Sequence, residues 1–174
     1  MDNQEPDNSH GSGITAVILA WVVILGLLAW WFDDYEKSQY NPNQQIQTRS
    51  SAVGEQEIVL QRNRYGHYVA AGQINGVPVT FLLDTGASDV SIPSNIADSI
   101  GLERGVSQTY NTANGQITAY ATRLDRISIG GIELYNIQAS INPADQGEGI
   151  LLGMSFLKDL EFTQRGDTLT IRKY

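Results

Sequence analysis

The sequence predicts a small all-β domain, a barrel or sandwich with one or two short helices, carried behind a single apolar helix. Three observations predict it. From Glu57 onward, short strand-like runs alternate with turn dipeptides: Asn75-Gly76 and Gly130-Gly131 separate apolar runs, and Asn114-Gly115 separates two polar ones. No long helical periodicity interrupts them. Residues 14–32 form the one long apolar stretch, free of charge.

In chain order, residues 1–13 are polar and acidic and read as a disordered tail. As a helix, residues 14–32 would extend about 28 Å, the thickness of a bilayer's hydrocarbon core. Trp30 and Trp31 stand at its end, where an aromatic belt would lie. A cleaved signal peptide is the rival reading. It wants a basic start and a small-residue cleavage site, and neither is present. Residues 33–56 carry Asn, Gln, Ser and Pro42 with no apolar period, and read as a flexible linker. The domain is then 57–174.

Within it, Tyr68 to Ile74 and Val77 to Leu83 should form a hairpin across Asn75-Gly76. Val90 to Pro93 reads as a strand, followed by a short helix capped by Ser94 and closed by Gly101. A second hairpin spans Ser107 to Leu124. Its flanks are polar, so it is expected to project from the body. A third turns at Gly130-Gly131. Ile150-Leu151-Leu152-Gly153 is a short buried strand leading into one or two helical turns, and a last hairpin turns at Arg165-Gly166-Asp167.

The totals exclude several chemistries. Net charge is −8, against a nucleic-acid partner, whose phosphates require Lys and Arg. Cysteine is absent, which removes disulfides, thiol nucleophiles and thiolate-bound zinc. The two histidines, His10 and His67, lie far apart, so neither a histidine metal site nor a Ser-His-Asp triad is expected. No cofactor is expected.

The candidate catalytic group is Asp84. Phe81-Leu82-Leu83 is an apolar run that ends abruptly in an acid, a hydroxyl residue and a glycine. A carboxylate does not belong in a sheet core, so the strand must end there and a tight turn must present the acid. Gly86 allows the sharp path.

These residues resemble the retropepsin-like aspartic proteases. Asp84-Thr85-Gly86-Ala87-Ser88 followed by Leu151-Leu152-Gly153-Met154 matches that family's order of active-site loop, flap hairpin, apolar strand beneath the site and short helix. Gly66-His67-Tyr68 and Ile74-Asn75-Gly76 resemble a bacterial branch with an N-terminal membrane anchor. The resemblance covers residues 57–174 and implies a closed acid-protease barrel. It implies that Asp84 activates water and that Thr85 hydrogen-bonds across a dimer axis. Gly86 and Ala87 would support the loop, with Ala87 following the retroviral pattern. Ser88 and Asp89 would flank the cleft. Thr112, Asn114 and Gly115 would belong to the flap, with Leu152 and Gly153 as the floor of the substrate site.

Carboxylate-driven peptide hydrolysis needs two acids sharing one proton. Asp-Thr-Gly occurs once here, and Gly166-Asp167-Thr168 lacks the following glycine. The expected enzyme is therefore a homodimeric aspartic endopeptidase with Asp84 from each subunit. The expected partners are a peptide or protein substrate and a lipid bilayer held through residues 14–32. The terminal strands, including residues 169–174, would form the dimer sheet. The alternative is a membrane-tethered peptide-binding or scaffolding β-domain that does not cut. The resemblance places the domain in the periplasm, anchored in the inner membrane. The basic residues Lys37 and Arg49, both after the helix, favour the opposite orientation.

Overall fold

A computed structural model describes residues 9–50, 54–112 and 115–174, with no side-chain description for 9–12 and 111–112. The chain divides into two compact units, Met1–Ser38 and Gln39–Tyr174.

The first unit consists of most of helix α1, Ser9–Tyr40. Its segment Gly13–Tyr40 is long and apolar enough to cross a membrane, and a signal sequence would satisfy the same description. Val22, Leu25, Leu28 and Trp31 all lie exposed on it, and Trp31 stacks on Tyr35 at 5.8 Å. Ser9 to Gly13, expected in a polar tail, are helical; residues 1–8 lie outside the described residues.

The second unit is built on two sheets. The first is antiparallel in the order β1 (Thr48–Ser50), β2 (Gln56–Gln61), β11 (Thr168–Lys173), β10 (Glu161–Arg165). The second runs β3 (Val69–Ile74), β4 (Val77–Leu83), β9 (Ile150–Leu152), β5 (Val90–Pro93), β8 (Ile132–Asn142), β7 (Gly115–Ile129), β6 (Ser107–Thr112). Because β3 also pairs with β7, the strands from β3 round to β7 close into a ring, and β6 lies outside it. This is the closed barrel expected.

Closure follows from one turn. Asn75 and Gly76 both take positive φ, 51° and 86°, as a two-residue type I′ hairpin requires. The Asn75 amide then donates to the Arg126 carbonyl at 2.9 Å, and the Arg126 amide donates to Asn75 Oδ1 at 3.0 Å. A single asparagine thus makes the turn and stitches it to β7. Inside, Phe81, Ile92, Leu124, Ile127, Ile141, Ile150 and Phe156 form one continuous core that also takes in Ile58, Leu60 and Ile171 of the smaller sheet.

Three expectations need correction. The 33–56 segment is not a flexible linker throughout. Helix α1 continues to Tyr40, and Asn43, 5% exposed, packs into the second unit. Its side-chain amide donates to the carbonyls of Gln61 (2.8 Å) and Val69 (2.7 Å), and its Oδ1 accepts from the Gln61 amide (2.7 Å). The segment packs chiefly by satisfying main-chain groups through Asn43, with Ile46 adding a partly buried apolar contact to the core. Second, Ser94 does not cap helix α2 (Ser94–Ser99). Pro93 holds the cap position, and the buried Ser94 hydroxyl accepts instead from Gln146 Nε2 at 3.0 Å. Third, residues 169–173 are paired on both sides, with β2 and β10, so they offer no edge for a dimer sheet; among the described residues, β1 and β10 are the edge strands of this sheet.

Candidate active site

Strand β4 is buried at Phe81 and lies parallel to β9, with Phe81, Leu82 and Leu83 beside Ile150, Leu151 and Leu152. The pairing continues one step past the strand: the Asp84 amide donates to the Leu152 carbonyl at 3.2 Å. There the chain turns. The Ala87 amide donates to the Asp84 carbonyl at 3.2 Å, and the Gly86 amide donates to Asp84 Oδ1 at 2.9 Å. Gly86 has no positive φ, so its role is the close approach: a Cβ there would stand 3.1 Å from the carboxylate oxygen. Asp84 is half-buried, and Thr85, Gly86 and Ser88 are exposed.

From below, the short helix α3 (Met154–Leu157) holds the loop. Its first amides have no partner within the helix. The Met154 amide donates to the Ala87 carbonyl at 2.8 Å, and that of Ser155 donates to Ser88 at 3.0 Å. Ser155 Oγ accepts from the Val90 amide (3.1 Å) and donates to the Gln138 carbonyl (2.8 Å). Leu152 and Gly153 are buried beneath the loop.

The Asp84 side opens on a cavity of about 350 Å³ lined by Tyr68, Leu83, Asp84, Thr85, Phe162 and Leu169, among others. The Tyr68 hydroxyl lies buried there, with no hydrogen-bond partner among the described residues. Phe162, on the edge strand β10, is 40% exposed at its rim.

Asp89 differs from expectation. It does not flank a cleft: it is 8% exposed, and each carboxylate oxygen is engaged. Ser140 Oγ donates to Oδ1 and Tyr110 Oη donates to Oδ2, both at 3.1 Å. Burial pushes the Asp89 carboxyl above its ordinary value, while the two hydroxyl donors pull it down. Burial, then the charge of Asp89, push the Tyr110 phenol up. Sequence reasoning missed this cluster; the available signal was a second acid directly before the apolar Val90.

Of the expected flap residues, Thr112 ends β6 and Gly115 opens β7, where the two pair. Asn114 lies outside the described residues. Among the described residues, no three His, Cys, Asp or Glu stand together in a way that would hold a metal ion.

A closed barrel presenting Asp-Thr-Gly from a turn above an apolar-apolar-Gly strand is the retropepsin-like aspartic protease fold. The chain belongs to the gag-polyprotein putative aspartyl protease family, whose model matches residues 70–159. It is 38% identical over 127 residues to an uncharacterized protein in the cobV 5′ region of a Sinorhizobium species, covering 71% of this chain and 54% of that protein. It is 32% identical over 128 residues to an uncharacterized protein of Rickettsia prowazekii, covering 72% and 54%. The chain thus spans about half the length of these curated relatives. The crystal structure of a retropepsin-like aspartic protease from Rickettsia conorii superposes with a TM-score of 0.59 at 31% identity, covering 74% of this chain and 96% of that one.

Proposed function

We propose that this chain is a membrane-anchored aspartic endopeptidase, assembled as a homodimer in which Asp84 of each subunit meets its twin. The observation that carries this reading is the placement of Asp84: an acid at the end of a buried strand, turned out by Gly86 and facing an open cavity. Asp-Thr-Gly occurs once per chain, and Asp89 is buried among its own donors, so the second acid must come from another copy.

Two carboxyl groups about 3 Å apart cannot both ionise, so the pair holds one proton between them. The ionised Asp84 takes a proton from water as its oxygen bonds to the peptide carbonyl carbon. The protonated Asp84 gives its proton to the carbonyl oxygen. The resulting diol collapses when the first carboxyl protonates the amide nitrogen and the C–N bond breaks; a diol hydroxyl returns its proton to the other carboxylate. Thr85 holds the two loops together across the axis. Strand β10, with its free edge and Phe162 beside the cavity, is the face offered to the second copy. Gly86 and Ala87 shape the loop, while Ser88, Thr112, Asn114 and Gly115 meet the substrate above the floor made by Leu152 and Gly153.

Residues 14–32 anchor the chain in the inner membrane, with the domain in the periplasm. Two anchored domains meet at a raised effective concentration. Protease protection in intact spheroplasts tests that orientation.

The test of activity is incubation of the full chain, in detergent, with a peptide library across acidic to neutral pH, with mass spectrometry of products. Internal cuts that vanish in Asp84→Asn support the reading. Peptides captured uncut by wild type and variant alike would support the binding-domain alternative.

A further inference from the structure

Among the described residues, strand β6 is the one strand of the large sheet outside the closed ring, and it is polar: its Gln108 and Thr109 are exposed. Such an arm has little apolar surface to hold it in place. Tyr110 reaches from it to the Asp89 carboxylate at 3.1 Å. Gln108 Oε1 is also within reach of that phenol, at 3.2 Å. The phenol has one proton to give, and a buried carboxylate oxygen is a stronger acceptor than a side-chain amide on the surface.

Asp89 is itself held firmly. Its main chain presses on Gly153, where an added Cβ would stand 2.1 Å from the Asp89 carbonyl oxygen. Its second carboxylate oxygen is taken by Ser140 on β8. A carboxylate this buried is tolerated only when its lone pairs are engaged. Loss of the phenol leaves Oδ2 unpaired, so the bond matters to both ends.

We propose that Tyr110 and Asp89 form an intrachain clasp that ties the β6–β7 hairpin to the loop carrying Asp84. Both are positioning residues: the clasp fixes the hairpin in register with the active-site loop before any substrate arrives. The claim of a role in cleavage rests on the proposed peptidase reading; the clasp itself does not.

The test is amide hydrogen exchange of the full chain in detergent, read by mass spectrometry over peptides covering 107–120. Tyr110→Phe keeps the ring and removes only the hydroxyl. It should speed exchange in this hairpin about tenfold, the usual effect of losing a hydrogen bond to a charged group, and leave peptides from β9 and α3 unchanged. Asp89→Asn should act in the same direction, and the double variant should add little to either. Ser140→Ala, which strips the other oxygen, should leave the hairpin slower to exchange than Tyr110→Phe does. Unchanged hairpin exchange in Tyr110→Phe, or effects that add in full, would overturn the clasp. Both readings need no substrate, so they hold even for a chain that cuts nothing. Where cleavage is observed, Tyr110→Phe should raise KM about tenfold with kcat nearly constant; an unaltered KM beside a loosened hairpin would overturn its role in substrate capture.

Discussion

Gly153 lies directly beneath Asp89. A single methyl group at Gly153 would stand 2.1 Å from the Asp89 carbonyl oxygen and 2.6 Å from that of Ala87. Both obstacles are backbone, so neither can swing aside. Gly153→Ala must therefore push the active-site loop upward or break the Met154 and Ser155 hydrogen bonds beneath it. The expected cost is about 3 kcal/mol by denaturant unfolding, together with loss of cleavage in whatever fraction stays folded. A variant of unchanged stability would show that the loop and β9 are not packed as described.

Asn43 joins three main-chain groups of Gln61 and Val69 through one side chain. Asn43→Ala leaves them unpaired in a buried place. Its expected cost is about 2–4 kcal/mol in chemical denaturation, far above that of an ordinary substitution in a linker. Gln44→Ala, at an exposed neighbour, should change stability little.

Burial raises the Asp89 carboxyl from its ordinary value of 3.8 in the folded chain. The folded state then binds a proton more readily than the unfolded state between those two values. Stability from this group is greatest below 3.8 and is lost as pH rises through the raised value. Asp89→Asn removes that titration. A comparison of unfolding midpoints against pH for the two chains should show the wild type losing ground to the variant on going from acid to neutral. The phenol of Tyr110, pushed above 10.0, keeps its proton throughout this range and remains a donor.

If β10 is the face offered to a second copy, a charge at its apolar residue should weaken pairing. Phe162→Glu is expected to shift the full chain in detergent toward monomer by about tenfold or more in dissociation constant, measured by analytical ultracentrifugation. Arg165→Ala, at the far end of the strand, should do much less.

What could be read in the sequence was local. The Asn75-Gly76 turn, the hairpins at Gly130-Gly131 and Arg165-Gly166-Asp167, and the break at Asp84 each announce themselves within a few residues, because turn chemistry and an acid after an apolar run are short-range signals. What escaped depends on distant partners. Asn43 looks like linker because its partners are main-chain groups of residues 61 and 69, which carry no sequence signature. Asp89 and Tyr110 are 21 positions apart and meet only once β5, β8, β7 and β6 align in one sheet. Ser94 has the composition of a helix cap, yet burial against Gln146 turns its hydroxyl to another use. The hairpin of β11 with β10 was legible, but its other side is taken by the distant β2, so no open side is left for a second chain.

The central claim is that the working site needs one Asp84 from each of two chains. Co-expression of wild type with Asp84→Asn at controlled ratios tests it most directly, with peptide cleavage measured per total protein. If both acids are required, mixed dimers are inactive and activity follows the square of the wild-type fraction, so an equal mixture retains about a quarter. Activity that falls only in proportion, with about half remaining at an equal mixture, would mean that each chain cuts alone and would contradict the account.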